Sequence, residues 1–150
     1  SIISNYEHAF EVMPVLVSFI PMLMDTGGNC GSQSSTLIIR GLAIDEIKFS
    51  DFFKVVFKEF RISIVVGIML GIANGIRIVL LNHDVYLAFV VSASIVVTVM
   101  ISKFVGCVLP IVAKRLKMDP AIMAAPLITT IVDTLAIMVY FSIASQIFNL

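Results

Sequence analysis

The sequence has little charge and few cysteines, and the shortage of charge already decides the class of protein. Charged residues make up 13% of the 150 residues, the net charge is zero, and hydrophobic residues make up 59%. A typical soluble domain carries roughly 25% charged residues, and a chain this short could not bury so much apolar surface on its own. The balanced charge also leaves no basic patch for nucleic acid. The composition therefore predicts an integral membrane protein in contact with the lipid bilayer.

Cysteine and the common catalytic motifs are equally scarce. Cys30 and Cys107 are too few and too isolated for a disulfide framework or a metal knuckle, so we expect both to be free packing residues. The sequence contains neither G-x-S-x-G nor H-E-x-x-H, the signatures of two large classes of hydrolases. These absences predict that the chain is not an enzyme.

Three apolar runs are each long enough to cross a bilayer, which takes about 20 helical residues. They are Ile62–Leu81, Val85–Val112 and Ala121–Phe148. The second run is long enough to tilt or to bend at Pro110. Asp119 and Pro120 precede the third run and suit a helix N-cap and a first helical position. The pattern predicts an all-α helical bundle in the membrane.

A fourth apolar region, near the beginning, is divided by small and polar residues. Phe10–Met24 is apolar but short, Asp25–Gln33 is rich in glycine, and Ser34–Ala43 is apolar again. The region is either two separate membrane-adjacent segments or one span interrupted at its middle. We expect the interrupted span, because a break at membrane depth is tolerated where it lines a polar pathway.

Phe49–Phe60 has the pattern of an amphipathic helix that is too short to span. Its phenylalanines recur at helical spacing on one side, and charged residues occupy the other. The charged side consists of Asp51, Lys54, Lys58 and Glu59. We expect this helix to lie in the membrane interface with its phenylalanines in the lipid, although a partner-binding helix would show the same pattern.

Basic residues indicate the orientation. They concentrate in two connections, Arg40–Arg61 and Lys114–Lys117, which lie on one side because two crossings separate them. The positive-inside rule makes that side cytoplasmic. Both chain ends then lie outside, which implies a missing preceding span.

Glycines four residues apart on the first long span allow helices to approach closely, within a protomer or across a dimer; they are Gly67, Gly71 and Gly75.

Asp133 is the most informative residue, because it stands near the centre of the last span. A carboxylate at that depth costs a few kcal/mol or more unless it faces water or a cation. Polar and helix-bending residues on the same helix are expected to form a stripe with it: Pro126, Thr129, Thr130 and, further along, Tyr140. The alternative is a structural aspartate that is hydrogen-bonded to a neighbouring helix.

The glycine-rich segment supplies a second set of oxygen donors. Thr26, Asn29, Ser32 and Gln33 carry neutral oxygens, and Gly27, Gly28 and Gly31 expose the backbone between them. Oxygen-rich sites suit hard cations such as Mg²⁺, which gives up its water reluctantly and would be held through that water. Asp25 precedes the glycines, and whether it is a second pore carboxylate is left open.

Two further points bear on function. Lys103 lies inside the second span, where we expect it to extend towards the headgroups; pairing with Asp133 or Asp25 is the alternative. Two membrane aspartates would also suit an intramembrane aspartyl protease, but the Tyr-Asp and Gly-x-Gly-Asp contexts of those enzymes are absent.

The segment Pro21–Ala43, with its TGGNxGxQ element, resembles the signature of the MgtE family of magnesium transporters. Later blocks match in the same order: Gly106-x-x-x-Pro110, Asp119-Pro120-Ala121 and Pro126-Leu-Ile-Thr-Thr-x-x-Asp133. The resemblance implies a homodimeric channel for Mg²⁺, and to some degree Co²⁺ or Mn²⁺, with the pore at the dimer interface. It implies that Asp133 binds hydrated Mg²⁺ and that Asn29 lies near the pathway.

Residues 1–150 are thus predicted to be one transmembrane pore domain in the cell membrane. The first membrane helix and the cytoplasmic amino-terminal and CBS domains of the family are expected to be absent from it. We assign Asp133, Asn29 and Thr129 to the ion site. The pore lining is assigned to Asp25, Thr26, Gly27, Gly28, Gln33, Pro126 and Thr130. A proton- or sodium-coupled divalent cation transporter is the alternative to a channel.

Overall fold

The computed structural model describes residues 14–123 and 125–148, and within these ranges the chain is helical, without strands. The helices are α1 (Pro14–Ser18), α2 (Ile20–Ala43), α3 (Phe52–Asn82), α4 (Val85–Arg115) and α5 (Ala125–Phe148). The 3₁₀ turns Phe49–Asp51 and Pro120–Met123 precede α3 and α5. Three segments are long and apolar enough to cross a membrane: Phe49–Asn82, which contains α3, Val85–Arg115, which is α4, and Pro126–Phe148, which lies in α5. This confirms the predicted all-α membrane class.

The glycine-rich segment is helical throughout. Helix α2 runs without a break from Ile20 to Ala43, so the interruption predicted at Asp25–Gln33 is wrong. Gly27 and Gly31 are buried where α2 packs on its neighbours. Close packing there outweighs the roughly 1 kcal/mol by which each glycine disfavours a helix. The chain turns instead at Phe19, between α1 and α2; residues 10–13 of the predicted first segment lie outside the described residues.

The amphipathic segment and the first long span form one structure. The 3₁₀ turn at Phe49–Asp51 leads directly into α3, so the prediction of a separate interfacial helix is wrong. Phe53 and Phe57 are 82% and 61% exposed, as expected of a face towards lipid. Glu59, however, is buried, although the charge pattern placed it on the polar side.

Local capping explains where the helices begin and end. His83 ends α3 in the left-handed conformation, and the Asp84 carboxylate accepts a hydrogen bond of 2.9 Å from the Leu87 amide at the start of α4. The Asp119 carboxylate accepts a bond of 2.9 Å from the Ala121 amide. Asp119 therefore caps the 3₁₀ turn, and α5 itself begins four residues later than predicted, at Ala125.

Helix α3 packs closely on α4 along its three stacked glycines. A β-carbon on Gly67 would lie 3.2 Å from the Val96 Cα, and one on Gly71 would lie 3.2 Å from the Ser92 carbonyl oxygen. The Ser92 hydroxyl also donates to the Gly71 carbonyl oxygen at 2.8 Å. The close approach expected of these glycines therefore occurs within the protomer.

Helix α4 lies at the centre of the bundle, where α2, α3 and α5 all pack against it, and it continues through Pro110 to Arg115. Two apolar clusters fill the interior. The first includes Leu16, Leu23, Val91, Ile95, Tyr140 and Phe141. The second consists of Ile38, Leu42, Cys107 and Ile111. Cys30 and Cys107 are buried and free, as predicted.

Candidate functional site

Asp133 faces α2 across a small hollow between α2 and α5. The hollow has a volume of about 220 Å³. Its lining residues are Met24, Asp25, Gly28, Asn29, Thr129 and Asp133. We call this space the carboxylate hollow. It brings together Asp133, Asn29 and Thr129, the three residues that the sequence assigned to the ion site.

Helical spacing explains how these side chains converge. Asp25, Gly28 and Asn29 are three and four residues apart on α2, so they share one face. Thr129 and Asp133 are four residues apart on α5 and share a face in the same way. The two faces oppose each other because α2 packs along α5.

Gly28 permits the close approach of the two helices at this point. A β-carbon on Gly28 would lie 3.0 Å from the Thr129 Cγ2 and 4.0 Å from the Asp133 Oδ1. A side chain at this position would therefore occupy the space directly beside the carboxylate. The glycine keeps the hollow open, whereas the sequence predicted that it would expose its backbone in an interrupted span.

The hydrogen bonds leave most oxygens of the hollow available. The Asn29 Nδ2 donates to the Asp25 Oδ1 at 3.1 Å. The side-chain oxygen of Asn29, Oδ1, can therefore still accept a hydrogen bond. Within residues 14–123 and 125–148, the Asp133 carboxylate makes no hydrogen bond or ion pair. The structural alternative for Asp133, a bond to a neighbouring helix, therefore has no support in the described residues.

Threonine hydroxyls on α5 bond to their own helix. The hydroxyls of Thr129 and Thr130 both donate to the Pro126 carbonyl oxygen, at 3.0 and 2.8 Å. Thr129 still presents its oxygen lone pairs and lines the hollow. Pro126 and Thr130 are exposed on α5 but do not line it.

Tyr140 does not extend the polar stripe, which corrects the prediction. Its side chain is fully buried, and its hydroxyl donates to the Leu16 carbonyl oxygen at 3.0 Å. Tyr140 thus connects α5 to α1 inside the first apolar cluster. Helical spacing could not separate this position from the stripe, because only the fold shows that α1 covers it.

A second hollow continues along α2. It has a volume of about 500 Å³ and shares Asn29 with the carboxylate hollow. Its lining residues are Asn29, Ser32, Gln33, Thr36 and Leu37. Thr36 did not stand out in the sequence, although its position three residues after Gln33 continues the same face. Neutral oxygens therefore extend from Asp133 for about two turns of α2.

Two predicted lining residues lie elsewhere. Gly27 is buried where α2 packs against α4 and α5. A β-carbon there would lie 2.8 Å from a side-chain carbon of Thr98 and 2.8 Å from one of Val132. Thr26 lines neither of the two hollows. Gly27 belongs to the packing side of α2, which the assumption of an irregular backbone could not distinguish from its polar side.

The donor set fits a hydrated cation better than a dehydrated one. No group of three His, Cys, Asp or Glu side chains converges within the described part of the chain. Two carboxylates, one amide oxygen and hydroxyl oxygens are hard donors, but they are too few to replace the shell of a Mg²⁺ ion, which keeps several waters in proteins. The geometry favours contacts to the ion through its water.

The chain is similar to a known family of membrane transporters. Residues 20–143 match the model of the MgtE family, described as a divalent cation transporter. The chain is 38% identical over 145 residues to the magnesium transporter MgtE of Bacillus subtilis (strain 168), which covers 97% of this chain and 32% of that protein. The Thermus thermophilus relative of the same name is 35% identical over 144 residues, covering 96% and 32%. That of Enterococcus faecalis is 32% identical over 146 residues, covering 97% and 32%. The chain thus spans about a third of the length of these relatives.

Proposed function

This chain belongs to the MgtE family of divalent cation transporters, and we propose that it forms a pathway for hydrated Mg²⁺ across the cell membrane. The chain is a multi-pass membrane protein with three candidate spans. The observation that carries the proposal is the Asp133 carboxylate, which has no partner among the described residues and faces Asp25 and Asn29 across the carboxylate hollow.

The electrostatics of the hollow support a divalent ion as cargo. A carboxylate at membrane depth without a partner is costly, and a passing cation would offset that cost. Asp25 adds a second negative charge on the facing helix. Retained water keeps the ion from binding too tightly, and conduction requires binding that is favourable yet weak enough for release. Co²⁺ and Mn²⁺ are expected as further cargo, since hard oxygen donors accept them too.

The direction of the pathway follows the polar face of α2. From the carboxylate hollow, the ion would pass along the neutral oxygens of Asn29, Gln33 and Thr36 in the second hollow. These side chains are exposed in the part of the chain that the structure describes. In a membrane such a face requires water or protein beside it. A homodimer would place the polar faces of two copies around one pore, with two Asp133 carboxylates facing the ion.

The sidedness of the pathway rests on the basic residues. The connections Arg40–Arg61 and Lys114–Lys117 would lie in the cytoplasm by the positive-inside rule. The second hollow, nearer to the Arg40 end of α2, would then be the cytoplasmic half of the pathway. Asp133 and Asp25 would lie on the outer side of it.

Flux measurements on the reconstituted protein test this proposal. We expect Asp133→Asn to reduce Mg²⁺ flux into liposomes by at least about 10-fold, since it removes the charge and keeps the shape. Asp51→Asn is the matched control, because Asp51 is a half-buried aspartate far from the hollow, at the start of α3. Flux that persists in Asp133→Asn at the unaltered rate would refute the proposal.

The same preparation separates a channel from a coupled transporter. Currents under voltage clamp without any proton or sodium gradient would indicate a channel. Strict dependence on such a gradient would indicate a coupled transporter that uses the same site. Hydrolysis of a membrane substrate that disappears in Asp133→Asn would instead indicate an intramembrane aspartyl protease.

A further inference from the structure

A buried ionic network connects three helices behind the carboxylate hollow. The Ser34 hydroxyl of α2 donates to the Glu59 Oε2 of α3 at 2.6 Å. The Lys103 Nζ of α4 lies 3.2 Å from the Ser34 Oγ and 3.5 Å from the Glu59 Oε2. All three residues are at most 6% exposed. Lys103 therefore does not extend towards the headgroups and does not pair with Asp133 or Asp25, which corrects both predictions from the sequence.

The network lies in a polar layer between the two apolar clusters. Along α4, Val99 belongs to the first cluster and Cys107 to the second, with Lys103 between them. Along α2, Cys30 and Ile38 bracket Ser34 in the same way. A buried ion pair of this kind adds little net stability over apolar side chains of the same size, but it can select one arrangement of the helices over others.

The network lies beside a close crossing of α2 and α4. A β-carbon on Gly106 would overlap the backbone of Gly31, so the two backbones touch there. Ser34 lies three residues after Gly31, and Lys103 lies three residues before Gly106. The two helices run in the same sense along this contact, since Gly27 lies beside Thr98 and the Leu42 carbonyl oxygen accepts a bond from Lys114. The long Lys103 side chain therefore reaches along the contact to the Ser34 hydroxyl.

The glycine contacts alone leave the rotation of α2 weakly fixed. The β-carbon positions of Gly27 and Gly31 face mostly methyl groups, and the neighbours are Thr98, Val132, Ile128 and the hydroxyl and carbonyl oxygens of Ser102. Such contacts are not directional, whereas the hydrogen bonds of Ser34 are. Small residues permit close approach without specifying one rotation. The Ser34 bonds are thus well placed to set the angle at which α2 faces its neighbours.

Ser34 and the polar face of α2 point in opposite directions. Asp25 and Ser34 are nine residues apart, which is about two and a half turns of an α-helix. Asp25 and Asn29 are exposed on the side of the hollow, and Ser34 is fully buried on the other. A rotation of α2 that breaks the Ser34 bonds would therefore move Asp25 and Asn29 relative to Asp133.

We propose that Glu59, Lys103 and Ser34 are positioning residues that hold α2 at the rotation in which Asp25 and Asn29 face Asp133. The inference rests on the proposed function of the carboxylate hollow. The three residues do not touch the ion. They act on transport through the geometry of the hollow, so their loss should change the apparent affinity for Mg²⁺ more than the amount of folded protein.

The test is a pair of matched double variants in the full chain. Glu59→Met with Lys103→Met removes both charges together and leaves apolar side chains of similar length. Asp51→Met with Lys54→Met is the control, because that pair has the same N–O distance of 3.5 Å at the start of α3, where the side chains are 32% and 84% exposed. Mg²⁺ flux into liposomes is measured against concentration, alongside the unfolding temperature in detergent.

We expect the buried double variant to keep the unfolding temperature of the unaltered protein, since both charges leave together. Its half-saturating Mg²⁺ concentration should rise by about 2- to 30-fold, the range for residues that act through packing. The exchange Glu59→Lys with Lys103→Glu rebuilds the pair and should return the half-saturating concentration towards that of the unaltered protein. The control pair at the start of α3 should change neither quantity.

A smaller substitution keeps the proposal testable if the double variant does not fold. Ser34→Ala removes only the hydroxyl that joins α2 to the pair, and we expect the same rise in half-saturating concentration. Ser63→Ala is its control, because the buried Ser63 hydroxyl bonds only within α3, to the Phe60 carbonyl oxygen at 2.6 Å.

Two results would overturn the inference. One is a half-saturating concentration in Ser34→Ala, and in the folded double variant, equal to that of the unaltered protein. The other is a rise that the control variants share. If these variants transport normally while Asp133→Asn does not, only the positioning role fails. If Asp133→Asn itself transports normally, the proposed function fails instead.

Discussion

The Glu59 carboxylate and the Lys103 ammonium group lie 3.5 Å apart in the interior of the bundle, each side chain less than 10% exposed. Glu59 comes from the early turns of α3 and Lys103 from the middle of α4, so the pair joins an amphipathic segment to the central helix. Both charges stand where a lone charge would be unstable. Each is therefore tolerated because the other is present.

This dependence predicts a strong non-additivity in stability. Lys103→Met alone leaves the Glu59 carboxylate buried without its cation and should lower the free energy of unfolding by about 3–5 kcal/mol. Adding Glu59→Met should recover most of that loss. Chemical unfolding in detergent measures both variants. Equal stability of the single and double variants would show that solvent or lipid headgroups compensate the lone charge.

Gly28 offers a test of the carboxylate hollow that leaves both carboxylates in place. Gly28→Ala would place a methyl group 3.0 Å from the Thr129 Cγ2, narrowing the space beside Asp133. We expect the half-saturating Mg²⁺ concentration to rise. The stability of α2 should not fall through helix propensity, because alanine favours a helix over glycine by up to about 1 kcal/mol. Adding Thr129→Ser removes that methyl group, keeps the hydroxyl and should restore the affinity. Unchanged transport in Gly28→Ala would mean that the ion does not pass beside Gly28.

The crossing of α2 and α4 predicts a contrast between two glycines. A β-carbon on Gly106 would overlap the Gly31 carbonyl, which is backbone and cannot rotate away. On Gly75 it would meet the Ser92 Oγ at 2.6 Å, a side-chain atom that can move. Gly106→Ala should therefore cost about 1–3 kcal/mol or more, and Gly75→Ala clearly less. The unfolding temperatures of the two variants, measured side by side, test this contrast. An equal fall in unfolding temperature would contradict the predicted difference.

Tyr140 tests the link between α1 and α5. Tyr140→Phe removes the hydroxyl that donates to the Leu16 carbonyl oxygen at 3.0 Å and leaves that oxygen with the longer bond of 3.3 Å from the Phe19 amide. We expect a loss of about 0.5–1.5 kcal/mol in the free energy of unfolding with Mg²⁺ affinity unchanged, since Tyr140 lies away from the hollow. Ser142→Ala, an exposed hydroxyl on the same helix, should have no measurable effect. A change in affinity in Tyr140→Phe would place Tyr140 on the pathway after all.

The spans could be predicted from the sequence because lipid selects for apolar composition over a fixed length. Val85–Val112 and Ile62–Leu81 lie within the observed α4 and α3. The ends were harder: α3 begins ten residues before its apolar run, at Phe52. The first turns of α3 contain charged residues, so the apolar run begins later than the helix. Apolar composition indicates contact with lipid and does not indicate where the helical backbone begins.

The course of α2 could not be predicted for a different reason. Glycine is a poor helix former in isolation, so the segment from Gly27 to Gly31 favoured a break. In the fold those glycines are buried in contacts with α4 and α5, and such contacts between distant segments are not visible in a local pattern.

The convergence of Asp25, Asn29 and Asp133 was only partly predictable. Spacing of three and four residues places side chains on one helix face, so each half of the hollow could be anticipated. Their meeting depends on how α2 packs against α5. The pairing of Lys103 with Ser34, 69 residues earlier, depends on tertiary contacts in the same way, which is why a headgroup contact was expected for Lys103.

The most direct test of the central claim is the position of a bound cation. Crystals of the protein soaked in Mn²⁺, with diffraction measured at the manganese absorption edge, locate the ion independently of any transport assay. We predict an anomalous peak in the carboxylate hollow beside Asp133, farther from the carboxylate oxygens than the roughly 2 Å of a direct ligand to such an ion, and its loss in Asp133→Asn. Peaks confined to exposed carboxylates such as Asp45 and Asp119, with none in the hollow, would contradict the account.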